Sequence, residues 1–165
     1  MCPSITIESV KKELEKINDP ELPISIVDLG LIENIKIDSI NASIKIEIIP
    51  TFLGCPALEI IEKDINTNLS NSFPDVPISV NWIHSPNWSP NRITDKGKET
   101  LKTHGVSTPT CGSRNDLVQI SIENPLCPNC NSKKTTLESS FGPTRCRMIY
   151  YCNNCKNTFE HMKNI

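Results

Sequence analysis

Residues 127–155 read CPNCNSKKTTLESSFGPTRCRMIYYCNNC, a stretch that begins and ends with a Cys-x-x-Cys pair. Each pair forms a tight turn, here called a knuckle, and two facing knuckles complete a closed shell of four thiolates around one ion. Zinc is the usual metal for such a shell, and the intervening residues leave room for one β-hairpin. The spacing therefore predicts a structural zinc ribbon over residues 117–165, with the ligands Cys127, Cys130, Cys152 and Cys155.

Three features of this block leave alternatives open. The four cysteines could instead form a disulfide pair or hold an iron-sulfur cluster. Cys146, the fifth cysteine of the block, is interpreted as a spare thiol, and the alternative is that it replaces a ligand or binds a second metal. His161 follows the second knuckle and is a candidate substitute ligand.

Composition limits the possible functions. The chain has 165 residues, enough for one domain of about 100 residues with its own core and a small second module. Only 5% of the residues are aromatic, so the main core must be built from Ile, Leu and Val. The formal charge of -2 gives no overall attraction to nucleic acid. We therefore expect no nucleic-acid partner, although a few basic residues cluster locally: Lys133, Lys134, Arg145 and Arg147.

The sequence also indicates a cellular compartment. No apolar run is long enough to cross a membrane, and residues 1–4 lack the basic and apolar regions of a secretory signal. We therefore expect a cytoplasmic protein with no membrane partner. In the cytoplasm the eight cysteines stay reduced, so metal binding or reactive chemistry is favoured over disulfides.

Apolar residues in the first half of the chain switch between helical and strand spacing. They recur at helical spacing over 7–17 and again over 56–70. They alternate with charged residues over 35–37 and 44–48, which predicts an antiparallel hairpin, and with polar residues over 76–82, which predicts a third strand.

This order, α-β-β-α-β, predicts a small two-layer α+β domain over residues 1–88. An arm and linker follow at 89–116, punctuated by prolines, with one helical candidate at 94–104. Trp88 is interpreted as an anchor for the arm or for a partner. Beyond the linker we expect a strand at 117–122, followed by the hairpin between the knuckles.

Cys55 lies between Gly54 and Pro56 at the predicted start of the second helix. There the helix dipole and the free N–H groups stabilise a thiolate, so the position suits a reactive or metal-ligating cysteine. The alternative is a small buried residue that packs beneath the turn.

Three carboxylates flank two turns that precede this helix: Asp19, Glu21 and Asp28. They could approach Cys55 if the first turn folds over the second helix. The alternative is that they cap local backbone or stay solvated, as most acidic loop residues do.

Three motifs of the first half resemble the small iron-sulfur cluster assembly domain family. They are DPELP at 19–23, VDLGLI at 27–32 and PTFLGCPA at 50–57. The second half continues with FGPTRC at 141–146 and YCNNCKNTFEHMK at 151–163. Together with the first knuckle, these motifs resemble one branch over nearly the whole chain, the PaaD (also PaaJ) family of the phenylacetyl-CoA epoxidase system.

The resemblance implies an accessory or maturation protein that assists iron or iron-sulfur delivery to the oxygenase or reductase subunits of the epoxidase and does not perform the oxygenation. It makes Cys55 the candidate for transient iron or cluster contact, with Asp19, Glu21 and Asp28 shaping its pocket. The structural zinc of the ribbon is a separate site. The alternative is a general cytosolic iron-sulfur cluster carrier, and a homo-oligomer stays open. One departure is Asn91-Arg92, where an acidic and an aromatic residue are expected.

Overall fold

The computed structural model describes residues 5–109 and 124–163. The chain divides into two compact units, Met1–Gly97 and Lys98–Ile165. The strand predicted at 117–122 lies outside the described residues, and the predicted boundaries of the arm and linker stay predictions. No helix in the described part of the chain is long and apolar enough to cross a membrane.

The first unit contains two helices and one three-stranded sheet. The elements are α1 (Ile7–Leu14), β1 (Ile32–Asp38), β2 (Ser43–Ile48), α2 (Ala57–Ser72) and β3 (Ile78–Trp82). The sheet order is β1-β2-β3, with β1 antiparallel and β3 parallel to the central strand β2. Because two parallel strands need a crossover connection, α2 lies between β2 and β3 in the chain. The predicted α-β-β-α-β order and the α+β class are confirmed.

The core of the first unit follows from the alternation of isoleucines along β2. Ile44, Ile46 and Ile48 are buried, whereas Lys45 is exposed between them. Burying one such side chain contributes about 1.5–3 kcal/mol. Both helices supply buried residues to this core: Val10 and Leu14 from α1, and Ile61, Ile65 and Leu69 from α2.

The two helices differ in extent from the periodicity: α1 ends earlier than predicted, whereas α2 begins one residue later than the predicted range of 56–70 and ends two residues later. The helix predicted over 7–17 ends at Leu14 because the N–H of Ile17 turns to the carbonyl of Leu14, at 3.1 Å, in place of a full helical turn. Ile17 is nevertheless buried, which explains why the sequence pattern runs past the helix end. Pro56 takes the N-cap position of α2, one residue before the first helical residue Ala57.

After β3, the chain is anchored back on the first unit by Trp88 and Arg92. The indole N–H of Trp88, a buried side chain, donates to the carbonyl of Leu29 at 3.0 Å. Arg92 ends a short 3-10 turn (Pro90–Arg92) and donates from Nε to the carbonyl of Gly30 at 2.9 Å. A Cβ at Gly30 would lie 2.4 Å from the Arg92 carbonyl oxygen, so only glycine fits there.

The second unit is a four-stranded sheet. Its strands are β4 (Val106–Ser107), β5 (Thr135–Ser139), β6 (Arg147–Cys152) and β7 (Thr158–Met162), and α3 (Asp95–Thr103) precedes them. The sheet order is β4-β7-β6-β5. The predicted hairpin is β5 and β6, an antiparallel pair. The other two strands were not expected: β7 pairs antiparallel with β6, and β4 pairs parallel with β7.

Candidate functional site

The four knuckle cysteines converge on one point. Their sulfur atoms all lie within 4.8 Å of one another, with Cys127 and Cys155 at 3.6 Å and Cys130 and Cys152 at 3.5 Å across the two knuckles. A tetrahedral ion with metal–sulfur bonds of about 2.3 Å requires sulfur–sulfur edges of about 3.8 Å. The four donors therefore fit a single four-coordinate ion, and they form a metal-binding site of the zinc-ribbon type.

The two knuckles share one backbone geometry. In the first, the N–H of Asn131 donates to the carbonyl of Cys127 at 2.8 Å; in the second, the N–H of Lys156 donates to the carbonyl of Cys152 at 2.9 Å. Asn131 and Lys156 both adopt a left-handed conformation, with φ of 55° and 62°. The same turn is thus built twice, which brings two thiolates from each knuckle to one ion.

One side of the metal site is sealed and the other is open. Cys127 and Cys152 are fully buried against the rings of Tyr150 and Phe159, which stack at 5.8 Å between centroids. Cys130 and Cys155 are only half-buried. Water, protons and chelators therefore reach the site from the side of Cys130 and Cys155.

Burial and hydrogen bonding separate the acidities of the thiols in the first knuckle. Burial raises the pKa of Cys127 to about 12. Hydrogen bonds from the side chain of Asn154 and from the backbone of Ser132 lower the pKa of Cys130 to about 6. Because a metal ion binds thiolates, loading this site must displace the proton that Cys127 holds.

Cys146 and His161 lie outside the group of four sulfurs. Cys146 is buried where β6 begins, with its sulfur 3.1 Å from the hydroxyl of Thr144, whereas Cys152 ends the same strand. At 3.3 Å per residue, a strand of this length spans about 20 Å, so Cys146 and the metal ligand Cys152 lie at opposite ends of β6. The ring nitrogen Nδ1 of His161 forms a 2.8 Å hydrogen bond with the hydroxyl of Ser107. Burial lowers the pKa of His161 to about 4.

Cys55 lies immediately before the N-cap of α2. It is half-buried, its N–H donates to the carbonyl of Phe52 at 3.3 Å, and its own carbonyl accepts from the N–H of Leu58 at 3.3 Å. The preceding Gly54 has a φ of 79°, and a side chain there would meet no atom within 4 Å. Leu53 is 66% exposed, so the loop that carries Cys55 presents an apolar side chain to solvent.

Asp19 has structural partners in its own loop, whereas Asp28 has one partner in its own loop and two in a distant segment of the chain. The Asp19 carboxylate accepts from the N–H groups of Glu21 and Leu22 at 2.8 and 2.9 Å. The Asp28 carboxylate accepts from three side chains at 2.7–3.2 Å: Ser25, Thr94 and Lys96.

The surroundings of Asp28 favour its ionised form. Partial burial opposes ionisation, but the hydrogen bonds from Thr94, Lys96 and Ser25 outweigh it and lower the pKa of Asp28. Glu21 is half-buried. In the part of the chain that the structure describes, Cys55 and these carboxylates do not form a group of three or more ligand atoms at metal-binding spacing.

The sequence assigned no structural or functional role to Arg92 or Asn154. Arg92 donates to the carbonyls of Gly30 and Ile32 and pairs with Glu33 at 2.7 Å, all far away in the chain. Asn154 contacts a sulfur of the opposite knuckle. Its place inside the Cys-x-x-Cys turn was the one available signal.

Two family models match the chain. The iron-sulfur cluster assembly protein model matches residues 7–80, and the PaaD zinc beta ribbon domain model matches residues 121–163. The first range covers most of the first unit, and the second covers both knuckles.

Curated relatives match either the whole chain or its first half. A protein of Escherichia coli K12, named as a subunit of a putative 1,2-phenylacetyl-CoA epoxidase, is 33% identical over 152 residues, covering 91% of this chain and 88% of the relative. "Fe-S protein maturation auxiliary factor YitW" from Bacillus subtilis is 30% identical over 95 residues, covering 57% of this chain and 91% of the relative.

Solved structures resemble the first half of the chain. A domain of unknown function from Bacillus anthracis has a TM-score of 0.54 and 35% identity, covering 57% of this chain and 89% of its own. A conserved hypothetical protein from Thermotoga maritima has a TM-score of 0.54 and 27% identity, covering 61% and 98%. The match that spans both halves decides the family: this chain belongs to the PaaD family of phenylacetyl-CoA epoxidase subunits, in which an iron-sulfur cluster assembly domain is joined to a zinc ribbon.

Proposed function

We propose that this protein is a non-catalytic accessory or maturation component of a phenylacetyl-CoA epoxidase that assists iron or iron-sulfur delivery to the oxygenase or reductase subunits. The observation that carries the proposal is the joining of both modules in one chain, matched over 91% of its length by the E. coli relative. The Bacillus subtilis maturation factor adds support for the delivery role, because it resembles the first half alone. The proposed setting is the cytoplasm, where thiols stay reduced.

In this proposal the four knuckle cysteines hold one structural zinc ion, and the ribbon is a rigid docking platform. The sulfur–sulfur separations of 3.5 and 3.6 Å support a single ion. A multi-iron cluster would insert irons and sulfides between the cysteines and hold their sulfurs farther apart. Zinc ligation contributes folding free energy on the order of 10 kcal/mol in small zinc modules.

Cys55 is the proposed point of metal exchange with the client protein. Its half-buried thiol at the start of α2 and the exposed Leu53 beside it support this role, because a partner could cover the loop while the thiolate binds iron. Asp19, Glu21 and Asp28 shape the surroundings of Cys55 by fixing their loops. The hydrogen bonds of Asp19 and Asp28 support this indirect role.

The test is co-expression with the other epoxidase subunits under anaerobic conditions, comparing the wild-type chain with Cys55→Ser and with Cys146→Ser as the control. Zinc, iron and acid-labile sulfide are then measured on each purified protein. We expect about one zinc on every variant, and less iron or sulfide on the client only with C55S. Equal client iron with and without the wild-type chain would refute the delivery role.

A second candidate function is a general iron-sulfur cluster carrier. The 30% identity to the Bacillus subtilis maturation factor favours it. The same metal analysis separates the two, because a carrier retains iron and sulfide after purification without the other epoxidase subunits. Stable iron and sulfide that disappear in C55S would favour the carrier.

A further inference from the structure

The side chain of Asn154 links the two knuckles. Its amide nitrogen Nδ2 lies 3.5 Å from the sulfur of Cys130, a distance suited to an N–H···S hydrogen bond. Asn154 belongs to the second knuckle and Cys130 to the first. The contact therefore crosses the metal site between two turns that are far apart in the chain.

The neighbouring Asn153 has the same side chain and a different partner. Its amide donates to the hydroxyl of Thr136 at 2.8 Å, and its backbone N–H donates to the carbonyl of Lys134 at 2.8 Å. Both asparagines are exposed. The second knuckle thus contains two side-chain amides of the same type: that of Asn154 donates to a ligand sulfur, and that of Asn153 donates to strand β5.

Asn154 acts on the open side of the site. The buried sulfur of Cys127 receives hydrogen bonds from the backbone of Asn129 and Cys130. The half-buried sulfur of Cys130 receives the Asn154 amide as well as a backbone donor from Ser132. Groups that donate to a metal ligand orient it and withdraw charge from it, and losing one typically costs about 10–100-fold in metal affinity or activity.

We propose that Asn154 is a positioning residue that holds the Cys130 sulfur in the coordination shell and so slows release of the metal from the open side of the ribbon. Asn154 is not itself a ligand. This inference rests on the proposed metal site at the four cysteines.

The test uses the full chain loaded with zinc, and separately with Co²⁺, in wild type, Asn154→Ala, Asn154→Asp and Asn153→Ala. Zinc release to a chromophoric chelator should be roughly tenfold faster in N154A than in wild type. N154D keeps the size of the side chain but removes the donor, so it should release zinc at least as fast as N154A. N153A should match wild type.

A spectroscopic readout separates this role from general stabilisation. Without the amide, the Cys130 sulfur carries more charge, so the thiolate-to-Co²⁺ charge-transfer band should move to lower energy in N154A and stay in place in N153A. The inference is overturned if N154A and N153A behave alike in both measurements, or if N154D releases zinc like wild type. A wild-type chain that binds neither metal would overturn the proposed metal site together with this inference.

Discussion

The two units of this protein obtain their cores from different chemistry. In the first unit, isoleucines and leucines from two helices and a sheet fill the interior. In the second, the sealed cluster consists of Tyr150, Phe159, Cys127 and Cys152, so half of its members are candidate metal ligands. The comparison teaches that the first fold depends on burying apolar area, whereas the second depends on an ion that the unfolded chain cannot organise.

Loss of a ligand should have the largest effect and should be confined to the second unit. Cys127→Ser removes a fully buried sulfur of the metal site. Because zinc ligation contributes on the order of 10 kcal/mol, the ribbon should unfold while the first unit stays folded. Limited proteolysis with zinc analysis measures both. Cys146→Ser is the control because its sulfur lies outside the site; C127S with full zinc and native protease resistance would contradict the comparison.

Truncation of a core isoleucine should destabilise the first unit and leave the second unit unaffected. Ile46→Ala, at a side chain with 0% exposure on the central strand β2, should destabilise the first unit by about 2–5 kcal/mol. The ribbon should keep its zinc because its folding energy comes from ligation. Chemical denaturation, followed by far-UV circular dichroism, gives the first quantity. Lys45→Ala is the matched control on the exposed side of the same strand, and zinc loss in I46A would show that the units are not independent.

Removal of the anchor at Arg92 should have a smaller effect on the stability of the first unit. Arg92→Ala removes the hydrogen bonds to the carbonyls of Gly30 and Ile32 and the pair with Glu33. Leaving those acceptors without this donor should cost about 1–3 kcal/mol of unfolding free energy. Arg145→Ala, at an exposed ribbon position, serves as the control for loss of one positive charge. Equal denaturation midpoints for R92A and R145A would show that the anchor contributes nothing.

The two units should respond to pH in different ranges: zinc binding by the second unit should change near neutral pH, and the stability of the first unit should change at much lower pH. Metal-free Cys127, with a pKa of about 12, holds a proton that zinc must displace, whereas Cys130, with a pKa of about 6, is already ionised at neutral pH. The proton displaced from Cys127 alone makes zinc affinity rise about tenfold per pH unit, or about 1.4 kcal/mol, so the measured slope should be at least this steep. Chelator competition at about pH 7 and pH 8 measures this slope, and a pH-independent affinity would contradict it.

The first unit should respond only at much lower pH. The folded protein lowers the pKa of Asp28, so the stability that Asp28 contributes is present above the ordinary carboxylate range and is lost as the pH falls through the folded pKa. Acid unfolding of Asp28→Asn, compared with wild type, isolates this carboxylate. A first-unit transition that coincides with zinc release would contradict the separation.

Local patterns predicted most of the fold. The alternating isoleucines of β2 and the helical spacing of α2 are set by burial on one face, which short stretches of sequence record. The metal site was predictable for a similar reason, because each knuckle brings two sulfurs together through residues that are adjacent in the chain. That the two modules belong together in one protein was predicted from the family motifs.

Other features depend on distant partners and left no local pattern. Strand β7 buries Phe159 and Met162, whose spacing does not alternate, so its identity as a strand depends on pairing with β6. Strand β4 has only two residues. The partners of Arg92 lie about 60 residues away in the chain, and the surroundings of Cys55 likewise depend on loops that periodicity does not position.

The parallel pairing of β4 with β7 has a consequence for any fragment that begins at residue 117. Such a fragment lacks Val106 and Ser107, which pair with Glu160 and His161 along one margin of the sheet. Backbone donors and acceptors of β7 that β4 now covers would become an open template for another chain. The isolated ribbon should therefore self-associate more readily than the full chain, in which β4 covers this edge of the sheet.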